Sequence, residues 1–445
     1  MSSDLLSIGR SGALAARAAL DVTAQNIANA STDGYIRRSV SLSEVASSGG
    51  YGRIGDISVS GVRVNGVVRN ADLFRQSEVR RTGSDAARAK GELTGLENTE
   101  AAVEQSGVYD AVVKFEGALT QLMGDPTSAS LRSSVIEDAR TVASTFNVAS
   151  SALDSVGTGL RFEATDGVTQ VNTLAQQLGN VNLRLARAAD ATSDQTALLD
   201  QRDSLLQQIS AYTDITTTFA SDNTVSVKVG GTSGQTLVQG GTAQTLGMTT
   251  AANGTVSFDV GGTAVTLLGG SLAGKAQALT KLDAVHTQLN TLAASLASTV
   301  NTAQAAGVAL NGTAGAPIFA GNTAATLSLA LTNGAGIATA PAGAAANSRD
   351  PSNLTAMRAA LSAADPATGL DGLIFDISST VAGRKVTSDA LNTIADTAKV
   401  NLSAQAGVSL DNEAVNLVRY QQAFQASGKV IQIASTLFDT LLNIH

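Results

Sequence analysis

The chain changes its periodicity along its length, and this pattern limits the folds that it can adopt. Residues 4–30 space their apolar side chains by three, four and seven positions, as one face of a helix does. From Thr213 to about residue 270, β-branched residues alternate with polar ones between Gly-Gly and Asn-Gly turns, as in antiparallel hairpins. Helical spacing returns at Leu272 and again over residues 409–443. We therefore predict a β-rich segment inserted into a helical body that is built from both termini.

This periodicity predicts a mainly α fold class with three discontinuous parts. We expect an elongated helical bundle whose terminal helices form coiled-coil-like assembly segments. The expected parts are the terminal helices (1–50 and 405–445), the helical body (51–212, 271–308 and 370–404) and an outer β-rich domain (213–270 and 309–369). Within the body, Asp125 and Pro126 are typical of an N-cap and a first helical residue, so they predict a helix start.

The last predicted helix carries the clearest apolar pattern. Steps of seven from Leu410 reach Leu417, Phe424, Ile431 and Phe438. The companion positions are mostly small: Ala414, Gln421, Gly428, Ser435 and Leu442. Large and small residues alternating at this spacing form a seam against another helix. The pattern fits an ordinary amphipathic helix of one domain, a helix in a bundle, or a contact with other copies of the chain.

Amide side chains interrupt the apolar faces at both ends of the chain. Asn26, Asn29 and Gln421 lie on or beside these faces, where a buried amide costs free energy unless it is hydrogen-bonded. A polar residue on a helical seam can fix register and partner number. We therefore favour an assembly contact over a simple core, and we expect neighbouring subunits to supply the partners of these amides.

Composition and charge exclude several classes of function. A net charge of −8 and a pI of about 4.9 argue against a general nucleic-acid surface. There is no cysteine, and the only histidines are His286 and His445. The chain therefore lacks thiol nucleophiles and thiolate ligands, and it has almost no histidine ligands for a metal site.

The sequence also argues against a membrane span. Residues 284–348 carry no charge, but polar residues interrupt them well before the roughly 18 apolar residues that a membrane span needs. The N-terminus has no basic segment followed by an apolar one, so we predict no cleaved signal peptide.

One segment resembles a phosphate-binding loop. Gly269, Gly274 and Lys275 match most of the motif, but Ala276 stands where a hydroxyl residue would bind magnesium. The strands before it are typical of hairpins and not of β-α-β units. We interpret the segment as a glycine-rich return from the β-rich domain into a helix.

The charged residues do not predict a catalytic cluster. Asp200 and Asp203 share a helical face from which Arg202 points away, which indicates a solvated face or inter-helix salt bridges. His286 lies in a helical segment without a glycine-framed serine, so a Ser-His-acid nucleophile is not expected. Nine arginines between residues 37 and 88 are interpreted mainly as a solvated face. No catalytic residue, cofactor or metal site is predicted.

Motifs at both ends resemble those of the bacterial flagellar axial proteins, a family of rod, hook and junction proteins. "QNIANASTDGY", residues 25–35, is similar to the family motif Asn-Ile-Ala-Asn-(Ala)-x-Thr-x-Gly-Tyr, and residues 407–444 are similar to the family's C-terminal motif. Two interior stretches, "LLDQRDSLLQQIS" (198–210) and residues 282–319, resemble the junction members. The resemblance implies terminal helices that are disordered in the free subunit and fold among neighbours.

The resemblance also implies where assembly contacts lie. Gly34 would allow a turn that a β-branched residue resists, and Tyr35 would add a rigid amphipathic contact. The expected assembly residues are Leu20, Asn26, Ile27, Asn29, Gly34, Tyr35, Leu410, Leu417, Gln421, Phe424, Ile431, Phe438 and Leu442.

By the same resemblance, the chain is expected to be a non-catalytic structural protein of the hook–filament junction. It would be extracellular in the flagellum, exported through the flagellar type III pathway. Expected partners are the hook protein, the second junction protein (hook-associated protein 3), the flagellin filament indirectly, an export chaperone on the C-terminal helix, and other copies in a ring. No nucleic acid or membrane is expected as a partner. Another axial protein of the rod or hook, and an exported stalked adhesin, stay open as alternatives.

Overall fold

The computed structural model describes residues 2–32, 34–47 and 58–442. The chain divides into two compact units, each built from separate stretches. The first unit comprises residues 1–84, 170–246 and 392–445, and the second comprises residues 85–169 and 247–391. The mainly α class with a central β-rich region is confirmed.

Helices form most of the described chain. They are α1 (Ser2–Ala28), α2 (Leu73–Glu104), α3 (Val108–Gly124), α4 (Ala129–Leu185), α5 (Ser193–Tyr212), α6 (Gly270–Ala305), α7 (Ser352–Ala364), α8 (Pro366–Ala406) and α9 (Leu410–Leu442). None of the helices within the described ranges is long and apolar enough to cross a membrane.

The strands form small sheets. They are β1 (Arg38–Ser47), β2 (Ser58–Arg69), β3 (Ile215–Phe219), β4 (Val225–Val229), β5 (Gln235–Gln239), β6 (Thr242–Ala243), β7 (Leu246–Thr250), β8 (Val256–Val260), β9 (Thr263–Val265), β10 (Gly307–Val308), β11 (Phe319–Ala320), β12 (Ser328–Leu329) and β13 (Ala340–Pro341). The sheet orders are β1-β2, β3-β4-β5-β6, β7-β8-β9, β10-β13 and β11-β12. Alternating β-branched residues and glycine turns therefore produce the predicted hairpins in residues 215–265.

The second unit contains the largest continuous apolar core. Helices α3, α6 and α7, parts of α2, α4 and α8, and the segment between β10 and β13 supply its buried side chains. The ring of Phe115 packs edge-on against Phe319 with centroids 5.7 Å apart. Arg132 of α4 is fully buried beside this core. Its guanidinium donates to the carbonyl oxygens of Pro126 (2.6 Å) and Ile337 (2.8 Å), among others. These bonds connect the start of α4 to the loop before β13.

In the first unit, Asn182 connects α4 to the β3–β6 sheet. Its Nδ2 donates to the carbonyl oxygens of Val225 (2.9 Å) and Gly240 (2.8 Å), and its Oδ1 accepts from the Val225 amide (3.0 Å). The buried amide thus forms three of its four possible hydrogen bonds, which fixes the sheet on this helix.

The terminal helices α1 and α9 pack against each other in the first unit. A Cβ atom at Gly9 would lie 2.8 Å from Cγ1 of Ile431, and one at Gly12 would lie 2.8 Å from Oγ of Ser427. These two glycines therefore allow a close approach of the helices. The β1–β2 hairpin contacts α1 beside them, where the Val62 amide donates to Ser11 Oγ (3.2 Å).

The structure differs from the sequence prediction at two places. Asp125 ends α3 and does not cap α4, because its Oδ1 accepts from Thr127 in a turn and α4 starts at Ala129. Helix α7 lies within the range expected for the outer β-rich domain, because "SNLTAMRAALSAA" is rich in strong helix formers. The three-part domain division stays a prediction.

Candidate assembly site

Asn26, on the last turns of α1, is the centre of a polar cluster at one end of the α1–α9 pair. Its Nδ2 donates to the Arg38 carbonyl oxygen (2.9 Å) and to Glu413 Oε2 (3.2 Å). Its Oδ1 accepts from the Tyr35 hydroxyl (3.0 Å) and from the Arg38 amide (3.0 Å). The buried Asn26 side chain therefore uses its full hydrogen-bonding capacity inside one chain. Our expectation that a neighbouring subunit supplies its partners is wrong for this residue.

Asn29 and Gly34 form the turn that follows α1. Nδ2 of Asn29 donates to the Gln25 carbonyl oxygen (2.9 Å), and its Oδ1 accepts from the Thr32 hydroxyl (3.3 Å). Gly34 has φ of 74°, in the left-handed region that favours glycine. The Tyr35 amide then closes the turn on the Thr32 carbonyl oxygen (3.2 Å). These residues end the helix and direct the chain into β1.

Glu413, in the first turn of α9, connects the two chain ends. It is buried, and its Oε1 accepts from Nε of Arg37 at 2.7 Å. The Arg37 amide also donates to the carbonyl oxygen of Ala406 (2.9 Å), at the end of α8. The segments that precede α9 and follow α1 are thus held together by main-chain and side-chain bonds.

A buried arginine–aspartate network lies beside this cluster. It joins the β1–β2 hairpin to α5 through the ion pairs Arg38–Asp200 (2.6 Å), Arg69–Asp200 (2.8 Å), Arg69–Asp203 (2.8 Å) and Arg202–Asp203 (2.8 Å). The expected solvated face is wrong for these residues. The alternative interpretation of salt bridges is right, but they join α5 to the strands β1 and β2 and not to another helix. Arg202 does not point away from Asp203 but pairs with it and covers the Phe219 ring at 4.6 Å.

The surroundings shift the pKa of Asp203 in this network and of Tyr35 beside it. Burial by itself raises the pKa of Asp203, but the charges and hydrogen bonds of Arg202 and Arg69 outweigh it and hold the pKa below its ordinary value. Burial also raises the pKa of Tyr35, so its hydroxyl stays protonated as the donor to Asn26.

The outer faces of α1 and α9 expose large apolar side chains. Among the described residues, those on α1 are Leu5, Leu6, Ile8, Leu14 and Ile27, and those on α9 are Leu410, Val415, Val418, Phe424, Ile433, Leu437 and Phe438. We call these twelve side chains the apolar stripe. Val415 is 68% exposed and Ile433 is 59% exposed, which is unusual for side chains that usually lie in a core.

The residues predicted from the heptad spacing do not all lie on this outer face. Leu410, Phe424 and Phe438 belong to the apolar stripe, and Gln421 is exposed. Leu417 and Ile431 are only partly exposed, as is Leu20 on α1. The side chain of Leu442 lies outside the described residues. Val415, Val418 and Ile433 were missed, although the spacing of three residues between Val415 and Val418 indicates a second apolar row.

The candidate phosphate-binding loop has a packing role in the structure. Lys275 pairs with Glu163 of α4 at 3.0 Å. A Cβ atom at Gly274 would overlap the Arg88 carbonyl oxygen of α2. The glycine therefore allows α6 to approach α2, and the lysine is used in an ion pair.

Ser150, His286 and Asp154 come together in the second unit without forming a catalytic triad. Ser150 Oγ lies 3.2 Å and Asp154 Oδ1 lies 3.6 Å from the same ring nitrogen of His286, Nε2. Nδ1, where a triad carboxylate would bind, faces Nδ2 of Asn290 at 3.2 Å. The serine hydroxyl is buried, so it has no access to a substrate. Within the described residues, no group of three or more His, Asp or Glu side chains could hold a metal ion.

Family models match three parts of the chain. The model described as the flagellar hook-associated protein FlgK helical domain matches residues 93–319. The flagellar basal body rod FlgEFG protein C-terminal model matches residues 403–444, and the flagella basal body rod protein model matches residues 6–35. The first match covers half of the chain, and the other two cover the terminal helices.

The names of curated relatives agree with these models. The chain is 26% identical over 501 aligned residues to the flagellar hook-associated protein 1 of Bacillus subtilis, with 98% of this chain and 97% of that protein covered. It is 26% identical to the protein of the same name from Escherichia coli, with 72% and 60% covered. The flagellar hook junction protein FlgK structure from Burkholderia pseudomallei aligns with a TM-score of 0.49 and 26% identity, over 55% of this chain and 46% of that one.

Proposed function

Because this chain belongs to the FlgK family of flagellar hook-associated proteins, which are structural components of the flagellum, we propose that it is a subunit of the hook–filament junction. In this proposal α1 and α9 bind neighbouring subunits through the apolar stripe. The chain acts by assembly and not by catalysis.

The observation that carries the proposal is the exposure of the apolar stripe on both terminal helices. Twelve exposed large apolar side chains on two helices that pack together are typical of a surface that binds a partner. Covering the exposed half of a leucine- or phenylalanine-sized side chain contributes about 1 kcal/mol, so twelve such residues contribute on the order of 10 kcal/mol per subunit before the costs of association. This contribution is large enough to drive assembly.

The polar cluster around Asn26 and Glu413 has a different role in this proposal. It is satisfied within the chain, so it sets the register of α1 on α9 and thereby presents the two halves of the apolar stripe together. The close contacts along the rest of the pair involve small residues such as Gly9 and Gly12, which bury little apolar area. We therefore propose that the pair is marginally stable in the free subunit and becomes fully ordered on assembly.

The proposed partners follow from the position of a junction protein between the hook and the filament. The hook protein lies on one side, other copies of this chain form a ring, and the second junction protein (hook-associated protein 3) lies beyond, with the flagellin filament in indirect contact. Export through the flagellar type III pathway would precede assembly, with a chaperone covering the α9 half of the apolar stripe.

The interior match favours a junction protein over another axial protein. The rod-protein models match only the two ends, where axial proteins of several kinds share motifs. The match over residues 93–319 is to a helical domain of hook-associated proteins. A stalked adhesin has no physical reason to carry paired terminal helices with a shared polar cluster.

A pair of matched double variants tests the proposal. Phe424→Ala with Phe438→Ala removes two large members of the apolar stripe, which are 44% and 53% exposed. Phe162→Ala with Phe375→Ala removes two phenylalanines elsewhere that are more exposed, at 75% and 72%. We expect the first double variant to lower the fraction of purified hooks that bind the protein by about tenfold, which corresponds to about 1.4 kcal/mol. Its melting temperature should equal that of the wild type, and the second double variant should bind hooks normally. Normal hook binding by the first variant would refute the proposal.

A further inference from the structure

A polar cavity lies at the β5–β6 end of the four-stranded sheet in the first unit. Its volume is about 310 Å³, and the side chains of Thr236, Gln239, Thr242 and Gln244 line it. Gln239, Thr242 and Gln244 are exposed, while Thr236 is partly buried, so a ligand can enter from solvent. Small-molecule sites in proteins have volumes of roughly 300–1,000 Å³, and this cavity is therefore large enough for one small ligand.

All four lining side chains carry unused hydrogen-bonding groups. Within the described part of the chain, neither the two hydroxyls nor the two side-chain amides bind another protein atom. A hydroxyl can donate and accept, and so can a side-chain amide. Gln239 and Thr242 are also direct cross-strand neighbours in the β5–β6 pair, which brings two of these groups side by side.

The backbone that carries these side chains is held in place. Nδ2 of Asn182 on α4 donates to the carbonyl oxygen of Gly240 (2.8 Å), in the turn between β5 and β6. The amide of Gln244 donates to the carbonyl oxygen of Leu237 (2.7 Å), which continues the strand pairing past β6. The walls of the cavity are thus formed before a ligand arrives, and a preformed site loses less conformational freedom on binding.

The chemistry of the lining limits the class of ligand. The four side chains offer no cation for an anion, no carboxylate for a cation and no large apolar surface. A neutral molecule with several adjacent hydroxyls matches them, because each hydroxyl needs both a donor and an acceptor. We propose that this cavity binds one neutral hexose. Gln239 and Thr242 bind adjacent hydroxyls of the sugar ring, and Thr236 and Gln244 bind others.

Saturation-transfer difference nuclear magnetic resonance, which detects weak ligands, tests this inference on the full-length protein. The expected dissociation constant is on the order of 1 mM, because each hydrogen bond replaces one with water and the four lining residues include no aromatic ring. The probes are D-glucose, D-galactose and D-mannose, and the corresponding uronates are their charged counterparts. We expect the wild type to transfer saturation to at least one of the hexoses and several-fold less to its uronate.

Two matched double variants locate the binding. Gln239→Met with Thr242→Val replaces an amide and a hydroxyl of the cavity by apolar groups of similar shape, and it should lower the hexose signal at least fivefold. Gln176→Met with Thr250→Val makes the same replacements at exposed residues outside the cavity and should keep the signal. Equal melting temperatures show that the variants are folded. Thr242→Val alone takes the place of the cavity double variant if that variant melts at a lower temperature.

Three results would overturn the inference. They are no signal from any of the three hexoses with the wild type, equal signals from a hexose and its uronate, and equal hexose signals from the folded cavity and control variants. None of these results bears on the junction role, which depends on the apolar stripe.

Discussion

Nε of Arg37 lies 2.7 Å from Oε1 of Glu413, and this ion pair joins two segments from opposite ends of the chain. The Glu413 side chain is 1% exposed, while that of Arg37 is 31% exposed, so the pair closes the polar cluster toward solvent. Because Glu413 also accepts from Asn26, one carboxylate holds the start of α9 against the end of α1. This acidic residue therefore helps to fix the register of the terminal helix pair.

Glu413→Gln should weaken the α1–α9 pair. The change removes the charge that binds Arg37, and a hydrogen bond to a charged group contributes about 2 kcal/mol. We expect faster amide hydrogen exchange in α9 and in the second half of α1, with no change in the second unit. Asn412→Ala is the control, because the Asn412 side chain is exposed one position away. Equal exchange in wild type and Glu413→Gln would show that the ion pair does not stabilise the helix pair.

The sequence predicted the need for partners at Asn26 but not their identity. An amide on an apolar face must be hydrogen-bonded, and this reasoning holds. Its partner Glu413 is 387 residues away in the chain, and no local pattern indicates such a contact. The assignment to a neighbouring subunit assumed that α1 had no polar partner of its own. In contrast, the turn at Gly34 was predicted correctly, because a left-handed backbone conformation depends on the glycine itself and not on residues far away in the chain.

The heptad spacing correctly predicted that α9 is a helix, but it grouped in one row residues that lie on two different faces of this helix. An α-helix has 3.6 residues per turn, so a row of every seventh residue drifts by about 20° per heptad around a straight helix. Phe424 and Ile431 belong to the same row, yet Phe424 is exposed and Ile431 contacts Gly9. Which face meets α1 depends on the small residues of α1, and the α9 sequence alone does not contain this information.

Phe424→Ala and Ile431→Ala should therefore have different effects. Ile431 packs on Gly9, so its truncation should destabilise the α1–α9 pair by about 1–2 kcal/mol, less than for a fully buried isoleucine. Phe424 is exposed, so its truncation should leave the stability of the free subunit unchanged and lower hook binding. Denaturant unfolding and hook binding of both variants measure the two effects. If both variants lose stability to the same extent, α9 has no separate outer face.

Asp203 should make stability depend on pH in the acid range. Its ordinary pKa is 3.8, and the folded-state pKa is lower because of Arg202 and Arg69. Below about pH 5 the unfolded chain therefore binds more protons than the folded one, so the free energy of unfolding falls as pH decreases through 3.8 toward the folded value. The contribution of Asp203 is fully present above this range.

Asp203→Asn tests this pH dependence. The variant leaves Arg69 and Arg202 without their shared carboxylate, so at neutral pH we expect a loss of about 3–5 kcal/mol. The difference from wild type should shrink as the pH falls below 4, where the Asp203 carboxylate of the unfolded wild-type chain becomes protonated before that of the folded chain. Urea unfolding between pH 3 and pH 7 measures this, with the exposed Asp371→Asn as control. A difference that is constant with pH would contradict a depressed pKa at Asp203.

Substitutions at Gly274 and Lys275 distinguish a packing role of this segment from a phosphate-binding role. A Cβ atom at Gly274 would overlap backbone atoms of α2, which cannot move aside as a side chain could, so Gly274→Ala should cost about 1–3 kcal/mol. Lys275→Ala removes an ion pair whose Glu163 side chain is 59% exposed, so we expect a change below about 1 kcal/mol. In a phosphate-binding loop the lysine substitution should have the larger effect, since the lysine contacts the ligand directly.

Thermal melting of both variants, with and without magnesium and ATP, decides between the two roles. ATP should shift neither wild type nor variants, and an ATP-dependent rise in wild-type melting that Lys275→Ala abolishes would contradict the packing role.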